Sequence, residues 1–490
     1  MFDVVSILGQ MAESSADPRI RNIVKALSST QAGTQLTALT GGGAMRVESV
    51  ESELAIATVQ NPHFVLFNRL FPNRHTSWSL IDQQVVQDGI GGFPGSSVAN
   101  ESATNLPDRN GAYHREVTEL KVFAEYGGVT VPTALQGALQ QAAGVVDFNS
   151  SEQEIFSALS RVLQSVEWNI LHGDATIDTL EFTGLLPSIK ARAPQNVIDM
   201  AGAALNSGSQ VSPLAAQLAG FGNWGAPDYM VVSPLVKTDF DTHLESSYRV
   251  NLDQNVPSTM LGALVKGIRY NGLGVGNGIL ELEPHPFLDE RISAPVSTYA
   301  DPTSITGQAV AAAPTFALPA TDPNSAFLAA HVGAYYYAVE AWSSGVVSNP
   351  VVTASAASVA AGDSVVLTIT PSAGGTETYY KVYRGRRNGT NQPSDMRYIG
   401  RVARTGSSTT FTDYNTVIPG TSDALVLTSN PNVGAFRLLQ MAPPSKLPLA
   451  MTALQYRFVL FYMTALRIAT PKKLGAFKNI LPTNATWKPF

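Results

Sequence analysis

Ser151-Glu-Gln-Glu-Ile-Phe-Ser-Ala-Leu-Ser-Arg-Val-Leu-Gln-Ser-Val-Glu-Trp-Asn-Ile-Leu-His-Gly173 is the stretch whose reading decides the fold. It opens on a capping box, in which Ser151 accepts from the backbone amide of Glu154 and the glutamate reaches back. Ile155, Leu159, Val162, Leu163, Val166 and Ile170 then recur at helical spacing, with Arg161, Gln164 and Glu167 elsewhere on the wheel. Gly173 offers a left-handed stop after His172. The spacing predicts one amphipathic helix of roughly five to six turns, with Ile155, Leu159, Leu163 and Val166 among its core-facing residues.

Upstream, Trp78 to Asp88 and Glu116 to Tyr126 read as strands. In the second, Leu120, Val122, Ala124 and Tyr126 alternate with Glu119, Lys121, Phe123 and Glu125, which predicts that the first set meets a core and the second stays largely polar. Between the two runs lie Gly89-Ile-Gly-Gly-Phe-Pro-Gly-Ser-Ser97 and Asn105-Leu-Pro-Asp-Arg-Asn-Gly111, a polar connection far longer than a tight hairpin. Strands of about ten residues rise roughly 33 Å, so this ribbon can project beyond one domain and lie on something else. Residues 1–45 combine a short helical stretch, Arg19 to Leu27, with Ser, Thr and Gly, closing on Gly41-Gly42-Gly43. No Gly-Lys-Ser/Thr follows, so the glycines read as a bendable arm rather than a phosphate loop.

Downstream, Gln195 to Leu205 reads as an alanine-rich helix, and Asp228-Tyr-Met-Val-Val232 as a short buried strand turning into a helix at Ser233-Pro234. Gly267 to Pro284 alternates apolar runs with Gly272-Leu-Gly-Val-Gly-Asn-Gly278. Asn277 breaks the Gly-x-Gly-x-x-Gly pattern and no acidic ribose partner follows, which argues against dinucleotide binding. A proline- and alanine-rich stretch, Ala294 to Pro323, separates this part from a different texture. Tyr335-Tyr-Tyr-Ala-Val-Glu-Ala, Ser364-Val-Val-Leu-Thr-Ile-Thr370, Tyr379-Tyr-Lys-Val-Tyr-Arg384, Tyr398-Ile-Gly-Arg-Val-Ala403 and Thr409-Thr-Phe-Thr-Asp413 are short strands with turns between them, the pattern of an all-β sandwich. Met451 to Ile480 returns to long apolar runs, predicting re-entry into the first core.

Composition bounds the function classes. The 490 residues are 44% hydrophobic and only 14% charged, so much of the surface carries uncharged polar groups, as it does where subunits meet. There is no cysteine, which excludes disulfides, thiolate metal sites and a cysteine nucleophile. A net charge of −6 argues against a surface devoted to gripping nucleic acid. The distribution is uneven, since no acidic residue follows Asp423 while Arg437, Lys446, Arg457, Arg467, Lys472, Lys473, Lys478 and Lys488 are basic. That tail faces polyanion, pairs with acidic partners, or is a solvated basic face. The start, Met-Phe-Asp-Val-Val-Ser, lacks the pattern of a signal peptide. Leu447 to Ala469 contains Gln455, Arg457 and Arg467 and reads as a buried element, not a membrane span.

No catalytic constellation emerges. The seven histidines, at 63, 75, 114, 172, 243, 285 and 331, have no ligand spacing. Asp239-x-Asp241-x-His243 points around a helix rather than to one side. Glu281 and Glu283 share a strand face and line an edge or subunit contact rather than act as an acid and base pair. Neither an enzyme, nor a metal, nor a cofactor is expected.

The order of these parts resembles tailed-bacteriophage major capsid proteins with the Hong Kong 97-type fold, over most of the chain. Trp168-Asn-Ile-Leu-His-Gly-Asp174 is similar to the end of that family's spine helix, and Phe182-Thr-Gly-Leu-Leu-Pro187 to the segment leading into its axial domain. Asp228-Tyr-Met-Val-Val-Ser-Pro234 resembles its strand-to-helix corner and Leu466-Arg-Ile-Ala-Thr-Pro-Lys472 its closing strand. Tyr-Lys-Val-Tyr-Arg and Phe-Thr-Asp resemble a fibronectin type III or immunoglobulin-like module. The resemblance implies an α+β fold with an N-terminal arm (1–50), an extended-loop ribbon and flanking strands (51–135), a peripheral domain with the spine helix (136–193), an axial domain (194–330), an inserted sandwich (331–441) and a C-terminal return to the core (442–490). It further implies assembly contacts through the extended loop, at Gln84, Phe93, Arg109, Tyr113 and Arg115. No lysine lies between Asp82 and Glu116, so the prototype's lysine to asparagine cross-link cannot start in this loop. Nor is there room before the ribbon for a scaffolding domain of the prototype's kind.

The implied function is that of a shell subunit. Its partners are copies of itself in hexamers and pentamers, with scaffold, portal and decoration proteins and nonspecific contact with packaged DNA, and no membrane. Its place is the virion capsid, assembled in the host cytoplasm. The alternatives are another repetitive phage structural protein (tail tube, decoration or fibre subunit) and, from a different class, a glycan-active enzyme with an accessory sandwich.

Overall fold

The computed structural model describes residues 65–70, 73–74, 76–87, 112–142, 150–220, 222–248, 272–275, 278–292, 294–295, 309–343, 346–428, 435–450 and 454–490. The arm with its Gly41-Gly42-Gly43 and helical stretch, and the ribbon connection 88–111 with Phe93 and Arg109, lie outside these residues. The chain is α+β. Its helices are α1 (Val65–Leu70), α2 (Val131–Ala142), α3 (Ser150–His172), α4 (Leu185–Arg192), α5 (Gly208–Ala219) and α6 (Pro234–Tyr248).

Two compact units are present. The smaller holds α2, whose first backbone N–H, at Val131, donates to Leu454 O at 3.0 Å, while the Thr130 and Thr133 hydroxyls meet at 2.7 Å. Among the described residues the larger unit contains three large apolar cores and a small fourth cluster of Ala338, Tyr383 and Met396. In the first, α3 and α4 pack on a sheet in which the strand Gln455–Ile468 lies between Phe436–Gln440 and Ser445–Pro448 and also pairs with Lys121–Thr130. The helical spacing read from the sequence is realised: Val162, Val166 and Ile170 are buried against Leu438, Leu460 and Tyr462, with Ile155 and Leu159 packed at the margin. Leu163 is half-buried. Burying a side chain such as Ile170 completely contributes roughly 1.5–3 kcal/mol.

The second core lies on a six-stranded sheet whose spatial order is Val197–Asp199, Gly475–Ile480, Ser422–Leu427, Tyr229–Val232, Gly278–Pro284 and Gly272–Val275. The predicted corner is there, with Tyr229–Val232 wholly buried and α6 starting at Pro234, where Ser233 Oγ accepts the Leu235 N–H at 3.2 Å. Val211, Leu214 and Leu218 of α5 and Val236 and Phe240 of α6 pack on this sheet's apolar side chains. The third core is all-β. Strands Tyr337–Ser343, Tyr379–Gly385 and Met396–Ala403 form one sheet and Asp363–Ile369 with Thr409–Asp413 another, and both contribute to one cluster that includes Val339, Val382, Val365 and Leu367. Inside it Arg384 is fully buried, but its guanidinium donates to Asp413 Oδ2 and Asn415 Oδ1, each at 2.6 Å, so the charge is paired as burial requires.

The structure corrects several sequence expectations. Gln195 to Leu205 is not a helix: Pro194–Asn196 is a 3₁₀ turn, and Val197–Asp199 joins the sheet edge parallel to Gly475–Ile480. Buried Asn196 sends its amide to Lys472 O and Leu474 O at 2.8 and 3.1 Å, a tertiary demand that overrides alanine's helix preference. The helix forms later, at Gly208, where Gln210 Oε1 accepts the Ser207 N–H at 3.2 Å. Thr315–Phe316 and Ala320–Thr321, expected in a separating stretch, pair with Asp363–Ile369. Ser422–Leu427 and Phe436–Gln440, read as part of the sandwich, belong instead to the sheets of the second and first cores. Glu167, read on a polar face, is fully buried.

Gly173 is required for a different reason from the one its position suggests. Its φ is not in the left-handed region. A Cβ there would lie 2.4 Å from Phe182 O and 2.7 Å from Asn169 O, where the chain doubles back and the Gly184 N–H donates to Gly173 O at 2.8 Å. Space, not backbone conformation, selects glycine.

Candidate functional site

The first candidate surface is the ribbon. Ser79–Gln87 and Ala112–Glu119 pair antiparallel with each other and, among the described strands, with no other. Gln84 stands opposite His114, Val85 opposite Tyr113 and Gln83 opposite Arg115, with an irregularity between Val85 and Gln87. Three of the expected assembly residues, Gln84, Tyr113 and Arg115, are therefore brought to one two-stranded ribbon, while Phe93 and Arg109 fall in the connection outside the described residues. Leu120 breaks the strand, its N–H donating to Trp78 O at 3.1 Å, and a new strand begins at Lys121.

That new strand reverses the facing expected from the alternation. Phe123 packs against the first core and Glu125 stands 3.7 Å from Arg161 of α3, so the face bearing the charges is turned inward. Val122 and Tyr126 are 48% and 75% exposed. Leu120 alone of the predicted core set is buried. An alternating strand that offers its aliphatic and aromatic side to solvent, beside a ribbon that no other described strand covers, is a surface suited to another chain.

A second constellation lies where the all-β core meets α3. The Arg401 guanidinium grips Glu181, with Nη1 at 2.8 Å from Oε1 and Nη2 at 3.1 Å from Oε2, and Nη2 also donates to His172 O at 3.0 Å. Trp168 of α3 lies under this cation, 4.8 Å from ring centre to guanidinium carbon. Lys381 Nζ pairs with Glu290 at 2.9 Å and sits 4.5 Å above the Trp342 ring. Burial works against the ionised Glu290, but Lys381, His172 and Arg401 outweigh it and hold its pKa down to about 2. Burial pushes the His172 imidazole below its ordinary value, against the pull of Glu290. Burial likewise opposes charge on Asp423, yet Arg291 at 2.6 Å and Lys190 at 3.1 Å keep its carboxyl below the usual range. His172, Lys190, Glu290, Arg291, Arg401 and Asp423 border a cleft of about 450 Å³.

Two more polar clusters are structural. Glu167 Oε1 accepts from the Leu66 N–H at 2.8 Å and lies 2.7 Å from His285 Nε2, while its Oε2 accepts from the Phe67 N–H at 2.9 Å, so a buried carboxylate ties α1 to α3. Glu281 and Glu283 share a strand face as expected. Arg69 bridges toward both, at 2.9 and 4.0 Å, while Tyr229 donates to Glu283 at 2.8 Å. Asp239 is buried and accepts the Thr483 N–H at 2.8 Å. Among the described residues no group of three His, Cys, Asp or Glu side chains could hold a metal ion, and no helix is long and apolar enough to cross a membrane.

Sequence reasoning missed Glu167, Glu181, Glu290, Lys381 and Arg401. Lys381 and Arg401 carried a local signal, each as a charge within a largely apolar strand; the others become partners through contacts distant in sequence.

No family model matches the chain. It is 22% identical over 486 residues to the major capsid protein of Staphylococcus phage S25-3, a match that covers 96% of this chain and 98% of the relative, and it matches the major capsid protein of Staphylococcus phage K with the same identity and coverage. Among solved structures it aligns with the cyanophage A-1(L) capsid asymmetric unit at 9% identity and a TM-score of 0.45, covering 89% of this chain and 98% of that one. It aligns with the encapsulin of the holo-SrpI complex from Synechococcus elongatus at 8% identity and a TM-score of 0.40, covering 92% and 99%. Along nearly its whole length, the chain is thus similar in sequence to phage major capsid proteins.

Proposed function

We propose that this chain is a phage major capsid protein, the repeating subunit of an icosahedral shell around a double-stranded DNA genome. The observation that carries the reading is the end-to-end sequence similarity to major capsid proteins of Staphylococcus phages, at 22% identity over 486 residues. The exposed apolar side of Lys121–Thr130, next to a ribbon paired only with itself among the described strands, supports it. A ribbon laid over the next copy is a heterologous contact, and repetition about an axis closes rings of five and six. Many modest contacts per subunit then act together through effective concentration.

On this reading the α+β fold is of the Hong Kong 97 type and the chain's part is structural rather than catalytic. The ribbon is the extended loop, α3 the spine helix, and the six-stranded sheet the centre of the axial domain. Gln84, Phe93, Arg109, Tyr113 and Arg115 make assembly contacts. Its partners are further copies of itself, scaffold, portal and decoration proteins, and packaged DNA met through the basic last third; it assembles in the host cytoplasm and resides in the virion. The all-β core is an immunoglobulin- or fibronectin-like insertion. Supporting this, the segments before and after the all-β core meet where the Gly420 N–H donates to Arg291 O at 3.0 Å.

The test is expression of the full chain beside a variant lacking residues 90–110. Electron microscopy should show hollow particles or ring-shaped capsomers for the first, and for the second a folded subunit that forms no stable shells. Tubes or discrete trimers from the full chain, or normal shells from the deletion, would overturn the reading.

A further inference from the structure

After the strand Gly475–Ile480 the chain is pinned to the body twice, by the Leu481 N–H to Ala203 O at 3.3 Å and the Thr483 N–H to Asp239 Oδ2 at 2.8 Å. After a turn in which the Ala485 N–H donates to Pro482 O at 3.1 Å, it runs onto the sandwich. Ala485, Trp487 and Pro489 are buried while Thr486 and Lys488 are exposed, the period-two alternation of a chain laid along a surface. The Trp487 indole N–H donates to Asp395 O at 3.1 Å and Oδ1 at 3.2 Å. The Arg397 guanidinium lies 5.1 Å from the Trp487 ring centre. The same ring covers Gly420, where φ is +74° and a Cβ would stand 2.4 Å from the ring. Two residues on, the Arg387 N–H donates to Pro489 O at 2.9 Å, and Phe490 stacks on His331 at 4.0 Å between ring centres.

Trp487 therefore touches both sides of the junction: Gly420, at the point where the chain rejoins the second core, and Asp395, within the sandwich. The chain crossing at Arg291 and Gly420 is a single attachment about which the sandwich could swivel. Arg401 and Lys381 supply a second attachment on α3 and its flank, and the segment after Ile480 supplies a third. Three separate attachments fix an orientation where one does not. We propose that Pro482–Phe490 is a latch that holds the sandwich in one fixed orientation on the body. The proposal rests on the reading of the all-β core as an insertion, and it makes that insertion a rigid projection presented identically by every copy.

The absence of cysteine allows a direct measurement on the full chain. Spin labels at Ser407→Cys, in an exposed turn of the sandwich, and Ala216→Cys, on the exposed side of α5, report the body-to-sandwich distance distribution in the unassembled subunit. A narrow distribution is expected for the intact chain, and a width at least doubled after removal of residues 485–490. The double variant Trp487→Ala/Phe490→Ala should broaden it likewise and carries the test if the truncated chain does not fold. Hydrogen exchange in Ser422–Leu427 and Gly475–Ile480 should stay unchanged, marking an intact second core. An unchanged width in a folded variant overturns the latch. Because the measurement needs no assembly, that result leaves the shell reading standing, and failure of shell formation leaves the latch standing.

Discussion

Arg401 is the residue whose replacement tests the junction between the sandwich and α3 most directly. Its side chain is 3% exposed and that of Glu181 is 12% exposed, so solvent screens the pair very little. Arg401→Met preserves the apolar stem over Trp168 but leaves the Glu181 carboxylate with the Asp174 N–H, at 2.9 Å, as its remaining described donor, and leaves His172 O without its side-chain donor. Breaking a buried pair by removing one partner typically costs about 3–5 kcal/mol, and that is the expected loss. Glu181→Gln should also be costly, because it leaves the buried Arg401 guanidinium with His172 O and a neutral amide oxygen in place of a carboxylate, and the double variant should lose about 1–3 kcal/mol less than the sum of the two single losses, as neighbours in one network do. Urea unfolding of the unassembled subunit, followed by far-ultraviolet circular dichroism and by tryptophan fluorescence, gives all four corners of the cycle. A single-variant loss under about 1 kcal/mol, or losses that add within about 0.5 kcal/mol, would show that the clamp is not closed in solution.

Gly173→Ala should destabilise by about 1–3 kcal/mol, the usual cost of overpacking, because its Cβ meets two backbone carbonyl oxygens at 2.4 and 2.7 Å; thermal unfolding checks it. Glu290 is held down to about 2 from an ordinary 4.5, so its contribution is complete above pH 4.5 and is lost as the pH falls toward 2. That shift corresponds to roughly 3 kcal/mol, and Glu290→Gln should flatten the acid limb of a stability-against-pH curve. Replacing residues 294–416 by a short flexible linker should leave a cooperatively unfolding body, since the ends flank the bonded pair Arg291 and Gly420. Removing Tyr335 to Leu427 instead should abolish folding, since it takes out the strand between Tyr229–Val232 and Gly475–Ile480; circular dichroism melts separate the two outcomes.

Much of the fold was legible because it depends on short-range rules. The long helix follows from apolar spacing over 150–172, and the corner at Ser233-Pro234 from a buried run meeting a capping residue. The candidate surfaces were legible only in part. The ribbon strands announced themselves, but the sense of Lys121–Thr130 did not, because alternation says which residues share a face and not which face meets the core of this chain. In a subunit that buries surface against its neighbours, the more apolar face can be the one left open.

By itself, then, the sequence determined the long helix over 150–172, the corner at Ser233-Pro234, the ribbon strands and the main strands of the all-β core, their order along the chain, and the absence of any thiol. Only the tertiary structure decided that Ser422–Leu427 lies at the centre of the six-stranded sheet, that Glu167 is buried between α1 and His285, and that Gly173 is a matter of space. It also decided that Trp487 bridges Gly420 and Asp395. The physical reason is common to all four. Each depends on partners between about nine and two hundred residues away, whose approach is set by the packing of whole elements, and no local periodicity or propensity encodes that distance.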